Sequence, residues 1–305
     1  MCNILFLGTP DFALLTLKSL LDKNYNILAV FSQPPSKSKR GQRTQKSAVQ
    51  VFSEDHKLNI RTPLKIELEE NYIKKLDADL GVVVAYGQII PEKILSLTKY
   101  GFINIHPSLL PKYRGSAPIQ RSIINEDSST GISIMKINKN LDSGPICNQY
   151  KTNIKPDENY LSLSKRLSEL GAEKIIENIN LITSGKIVFK EQNHSLATYT
   201  KKISKSEGKI NWNQDAKKII AKKNGLSPHP GIWFGFDGER YKIIEAEFSI
   251  LNGEPGKVLD NALTIGCGRN SIKVKVLQRQ GKKPQKIDEF LRGSRIKVGS
   301  QLIYE

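Results

Sequence analysis

Cysteine is scarce in this 305-residue chain: Cys2, Cys147 and Cys267 lie far apart and form no paired spacing. That excludes a disulfide framework and a thiolate zinc site, and it fits a reducing compartment. Each thiol reads as a small buried hydrophobe. The four histidines, His56, His106, His194 and His229, are scattered, so no metal is expected. Long apolar runs are missing too. Nothing approaches the roughly 20 uncharged residues of a membrane span. At the amino end only residues 4–7 run together before Asp11, without the basic start of a secretory signal. A cytoplasmic chain that keeps away from membranes is the expectation. Acidic residues are outnumbered, 30 Asp and Glu against 47 Lys and Arg, for a net charge of +17. Such an excess favours a polyanionic partner, with nucleic acid first. A general lysine bias, visible beside the many Asn and Ile residues, would paint the same surface.

What is present is an alternation. Short apolar runs at 3–7, 27–31, 80–85, 102–105 and 131–137 predict strands. Helical spacing separates them at 11–21, 48–56, 71–76 and 91–97. The near-continuous apolar run at 80–85 suggests a strand covered on both faces. The pattern predicts α/β architecture with a Rossmann-like, open, mainly parallel sheet. Thr9-Pro10 reads as a side-chain cap followed by proline at the first helical position. The turn at 8–11 lacks the further glycines of a dinucleotide fingerprint, so NAD is not expected. A long amphipathic helix over 157–182 closes the first domain, 1–184. Polar residues 185–207 read as a linker. Residues 208–305 then change character: a helical stretch at 212–223 precedes β-like runs at 241–248, 256–259, 263–267 and 272–277, punctuated by glycine. That predicts a small, OB-like C-terminal β-barrel.

Chemistry concentrates in residues 101–120. A strand delivers Asn104 and His106 at alternate positions, so both emerge on one face at its carboxyl end. Pro107 stops the strand, and a rigid loop follows. Open α/β sheets keep their sites at such edges, although a satisfied structural histidine fits the same residues. Asp142, in the run LDSGPI (141–146), reads either as a turn cap or as a carboxylate that orients the imidazole. Between the second strand and the next helix lies a basic insertion with Lys37, Lys39, Arg40, Arg43 and Lys46 and no acidic residue until Glu54. A connection this long in an α/β unit is often functional, and it leaves the same edge as the proposed site. A solvated loop is the alternative. Lys217, Lys218, Lys222, Lys223, Lys282 and Lys283 are further phosphate candidates, and SPHPGIWF (227–234) reads as packing within the barrel.

These residues carry a resemblance. The Asn104-x-His106 strand end, the loop of Ser108, Leu109, Leu110 and Pro111, and the distant Asp142 resemble the signature of the 10-formyltetrahydrofolate-dependent transferase family. FLGTPDFA (6–13), VVVAYGQIIP (82–91) and KYRGSAPIQRSI (112–123) are most similar to members whose acceptor is methionine on initiator tRNA. The resemblance spans essentially the whole chain. It implies catalytic roles for Asn104, His106 and Asp142. It implies a folate pocket formed by the 108–111 loop and the backbone near Val84, Ala85, Tyr86 and Gly87. The co-substrate would be 10-formyltetrahydrofolate, with no metal, in a monomeric enzyme. The basic insertion would contact the tRNA acceptor arm, with Arg40 at the position of its key arginine. Ser143 stands where many relatives have threonine, which keeps the hydroxyl. Gln42 and Arg43 stand where lysines are usual.

Overall fold

A computed structural model describes residues 2–37 and 44–302. The chain forms two compact units. The first runs to Gly115 and then takes Thr130–Thr152 and Ser164–Thr200; the second takes Ser116–Ser129, Asn153–Leu163 and the chain from Lys201 onward. The elements up to Thr200 are β1 (Asn3–Gly8), α1 (Asp11–Asp22), β2 (Asn26–Phe31), β3 (Ser36–Lys37), β4 (Thr44–Gln45), α2 (Ala48–Asp55), β5 (Ile60–Arg61), α3 (Glu70–Leu76), β6 (Leu80–Val84), α4 (Glu92–Leu95), β7 (Phe102–His106), β8 (Arg114–Gly115), α5 (Pro118–Ile124), β9 (Ser129–Lys136), β10 (Ile146–Asn153), α6 (Tyr160–Thr183) and β11 (Tyr199–Thr200).

The first unit is built on a seven-stranded sheet ordered β10-β9-β7-β6-β1-β2-β5. Its core strands pair in parallel, from β5 through β2, β1 and β6 to β7, and β9 joins β7 antiparallel. Every residue of β6 is buried, as a strand covered on both faces requires. The chain steps outward from β1 to β2 and β5, then returns to place β6 on the other side of β1. That reversal opens a crevice beyond the carboxyl ends of β1 and β6, where open sheets bind ligands. Leu5, Leu7, Phe31, Ile73, Ile94 and Phe102 form one core of this unit.

Two local features depart from the expected pattern. Helix α1 begins at Asp11 with Pro10 as its N-cap and no side-chain cap; the Thr9 hydroxyl goes elsewhere, as described below. Helix α6 starts at Tyr160 rather than 157. There the Asn159 carboxamide accepts from the Ser162 N–H at 3.1 Å while the Ser162 hydroxyl accepts from the Asn159 N–H at 3.1 Å. This is the reciprocal arrangement of a capping box. Leu163, Leu167, Ile175 and Ile179 form its fully buried stripe, and Leu161 falls outside it at 56% exposure.

The second unit carries α7 (Ala216–Leu226), β12 (Ile232–Phe236), β13 (Glu239–Ser249), β14 (Thr264–Gly266), β15 (Ser271–Arg279), β16 (Gln285–Lys286) and α8 (Ile287–Arg292). Its strands form an antiparallel sheet ordered β12-β13-β15-β14, with β16 also on β15. The strand expected at 256–259 is reduced to the isolated bridges Lys257↔Gln301 and Val258↔Ile265. Ile232 and Phe234 are buried in the core of this unit with Trp212, Ile243 and Val274. Among the described residues no helix is long and apolar enough to cross a membrane.

Candidate active site

Strand β7 brings Asn104 and His106 to the carboxyl edge of the sheet, two residues apart and so on one face. His106 is 4% exposed. Its Nε2 lies 2.9 Å from the Tyr113 carbonyl. A carbonyl only accepts, so Nε2 carries the proton and the lone pair of the neutral ring sits on Nδ1. Nδ1 faces Asp142 Oδ2 at 3.6 Å, beyond direct hydrogen-bond reach. The same Oδ2 accepts from the Gly115 N–H at 2.7 Å. The Tyr113 carbonyl therefore sets the tautomer, and Asp142 faces the other ring nitrogen. Tyr113 and Asp142 both hold left-handed backbone, φ 63 and φ 46. Non-glycine residues persist there only where their surroundings over-determine them.

Asn104 is partly exposed, and no described group takes its carboxamide in a hydrogen bond. An amide N–H remains available beside the imidazole.

The 108–111 loop is held rigidly from beneath. The Ser108 hydroxyl donates to the Lys112 carbonyl at 2.6 Å. Ser133 Oγ donates to the Ser108 carbonyl at 2.7 Å and accepts from the Leu110 N–H at 3.0 Å. Gln149 Nε2 donates to the Leu110 carbonyl at 2.8 Å, and the Leu110–Pro111 peptide is cis. Ser108 and Leu110 are buried, while Leu109 and Pro111 are partly exposed.

Strand β6 stops at Val84 because Ala85 turns left-handed at φ 48, followed by Gly87 at φ 88. Ala85 and Gly87 are exposed while Val84 and Tyr86 are buried. The turn is pinned through the Tyr86 carbonyl, which accepts from Thr9 Oγ1 at 2.8 Å and Gln33 Nε2 at 3.2 Å. This is where the Thr9 hydroxyl is used: it ties the β1 turn to the β6 turn across the crevice.

Within the basic insertion, β3 and β4 pair antiparallel. Lys37 sits on β3; Lys39, Arg40 and Arg43 lie outside the described residues. Lys46 forms an exposed ion pair with Glu54 at 2.6 Å, a contact worth little in water. In the second unit, Lys222 and Lys223 donate to the Lys209 and Ala246 carbonyls at 2.8 and 3.2 Å. Burial pulls both ammonium groups below the usual lysine range. They serve their own unit's backbone, whereas Lys217 and Lys218 stay exposed. Trp233 borders a groove shared with Arg240, Gln280 and Arg295, and the Arg240 guanidinium lies 4.0 Å over its ring. That is cation–π distance, so Trp233 is set toward the groove while its neighbours Ile232 and Phe234 pack the core.

Burial pushes the Cys147 and Cys267 thiols up to about 11 and 12, which suits packing and not nucleophilic chemistry. Among the described residues no three His, Cys, Asp or Glu side chains converge to hold a metal ion.

Two family models match the chain, formyl transferase over residues 2–179 and the formyl transferase C-terminal domain over residues 202–295. The sequence is 55% identical over 304 residues to methionyl-tRNA formyltransferase of Pelagibacter ubique, covering 98% of each chain. It is 40% identical over 300 residues to methionyl-tRNA formyltransferase of Rickettsia bellii, covering 97% of this chain and 98% of that one. Among solved structures, an N-formyltransferase from Helicobacter canadensis in complex with folinic acid and dTDP-3-aminofucose shares the fold. Its TM-score is 0.69 at 18% identity, over 92% of this chain and all of that one.

Proposed function

The chain belongs to the formyl transferase family, and on that footing we propose that it transfers the formyl group of 10-formyltetrahydrofolate to the amino group of methionine carried by initiator tRNA. The observation that carries the reading is the His106–Asp142 pair beside the unpartnered Asn104 amide at one strand end. In the reaction the amine nitrogen bonds to the formyl carbon, the bond from that carbon to N10 breaks, and one proton leaves the amine for N10. Negative charge gathers meanwhile on the formyl oxygen. Asn104 supplies an N–H aimed by β7 for that oxygen. Nδ1 of His106 is the free base, because Nε2–H is committed to Tyr113. A proton taken there faces the Asp142 carboxylate and is held until it is returned to N10. The rigid 108–111 loop and the 85–87 turn, with Ala85 and Gly87 exposed, border this edge and suit a flat, polar ring system such as the folate donor.

The polyanionic acceptor suits the basic insertion with Lys37, Lys39, Arg40, Arg43 and Lys46, and the second unit's Trp233–Arg240 groove. We read that unit as an OB-like barrel. The register shifts between Ile243 and Ala246, which bend a sheet, and the bridge from Lys209 to Trp233 beyond its edge support closure. We further propose that the enzyme acts as a monomer in the cytoplasm.

Labelled formyl donor mixed with charged initiator tRNA should yield formylated methionyl-tRNA. Transfer only to water or to an amino sugar would overturn the acceptor. Arg40→Ala should impair use of the tRNA and leave donor binding unchanged. It should flatten the slope of log affinity against log salt by about one unit or less. Equal tRNA activity and equal slopes would return the insertion to a solvated loop. Thr9→Val removes the tie to Tyr86, so the donor KM should rise roughly three- to tenfold while the tRNA KM holds. An unchanged donor KM would separate the 85–87 turn from the folate.

A further inference from the structure

We propose that Gln192 is a positioning residue for the formyl transfer, a crossbar that fixes the spacing of His106 and Asp142. The inference rests on the reading of that pair as the reacting site. The pair has two supports: the Tyr113 carbonyl under His106 and the Gly115 N–H under Asp142. Both belong to one short segment around β8, a strand of two residues paired with β11. A ladder that short has little rigidity of its own.

What stiffens it is the residue between the supports. Arg114 is 1% exposed, and its guanidinium is spent on groups that carry no charge. Nε and Nη2 donate to Gln192 Oε1 at 3.1 and 2.7 Å. Nη1 donates to the Tyr199 hydroxyl and Nη2 to His194 Nδ1, each at 3.1 Å. Gln192, 5% exposed, turns its other end to the opposite segment. Its Nε2 donates to the Asp142 carbonyl at 3.0 Å and the Gly144 carbonyl at 2.8 Å. One carboxamide thereby joins the segment that holds His106 to the loop that carries Asp142. All four of its hydrogen-bonding positions are used. A buried network satisfied at every member is rigid, and the loss of one member is felt by the rest.

The choice of amide over carboxylate is informative. A glutamate would accept from Arg114 just as well and would neutralise the buried guanidinium. It would donate to neither carbonyl, and it would set a negative charge against the Asp142 loop. The Arg114 side taken by itself would favour glutamate; the two carbonyls of the Asp142 loop require glutamine.

Gln192→Glu separates the two roles. We expect the ion pair with Arg114 to offset part of the loss of the two donated hydrogen bonds, so that the protein stays folded, with kcat down about ten- to hundredfold and both KM values within about threefold. A misplaced pair loses proximity rather than binding. A purely structural Gln192 would lower the melting temperature and leave kcat intact in the folded fraction. Gln192→Leu keeps the volume and removes both arms. It should lower kcat by a similar factor in the folded fraction, and it serves if the glutamate variant does not fold. Wild-type kcat in either folded variant overturns the crossbar. Asp142→Ala measured alongside distinguishes the failures. If it is impaired while the Gln192 variants are not, only this inference falls; if it is fully active, the reading of the site falls first.

Discussion

Replacing His106 with alanine should cut formyl transfer by about a hundredfold or more while the fold survives. The ring is buried, and its removal leaves the Tyr113 carbonyl without its donor. That costs about 1–3 kcal/mol of stability, tolerable in a unit of this size. What disappears in chemistry is larger. Without Nδ1 the amine's proton has no base held against Asp142. Asn104→Ala should lose a comparable factor by another route, since a single donor aimed at a developing oxyanion carries about 10²–10³ in rate. Asp142→Ala removes the carboxylate that faces Nδ1 and also frees the Gly115 N–H, so it disturbs both halves of the pair. The His106 and Asp142 losses should be far from additive, because once either partner is gone the other has little left to do. Single-turnover rates on the three single variants and the His106/Asp142 double variant test this. Near-normal transfer in His106→Ala would remove the residue from the reaction.

The parallel core of the first unit was legible because its strands are continuous apolar runs, and β1, β2, β6 and β7 fall within a residue or two of expectation. That Asn104 and His106 share one face of a strand end was legible from the period, while the roles given to them came from the resemblance to the family. Other parts were hidden for identifiable reasons. Strand β10, ICNQYKTN, carries mostly polar side chains at the edge of the sheet, and its alternation is weak. Strand β12 hides in a run of Pro, Gly and aromatics, although Ile232 and Phe234 alternate as a half-buried strand should. Thr9 looked like a cap because threonine before proline often is one; only the nearness of Tyr86 shows the other use. Gln192 was illegible altogether. It lies in a polar stretch that reads as a linker, and its value depends on Arg114, Asp142 and Gly144, all distant in sequence. Long-range hydrogen bonds leave no local period. The supports Tyr113 and Gly115 were in view as part of a motif, yet nothing local marks a backbone carbonyl or N–H as a partner of His106 or Asp142.

Gly144→Ala should be strongly damaging. A Cβ at that position would sit 1.8 Å from the Lys136 carbonyl oxygen, a backbone atom that no rotamer change can move. The loop and the end of β9 would have to part. With them go the bond from the Lys136 N–H to the Pro145 carbonyl at 2.9 Å and that from Gln192 to the Gly144 carbonyl. Overpacking against fixed backbone costs about 1–3 kcal/mol or more. Asp142 is two residues away, so the displacement reaches the His106–Asp142 pair directly. The expected result is a lower melting temperature together with a kcat loss of about tenfold or more in the folded fraction. Gly293→Ala is the matched control, since a Cβ there meets nothing within 4 Å and stability should stay within about 0.5 kcal/mol. Thermal melts and single-turnover rates on both variants decide the matter. If Gly144→Ala melts and turns over like Gly293→Ala, the 138–145 loop is soft, and Asp142 cannot owe its place to the packing described here.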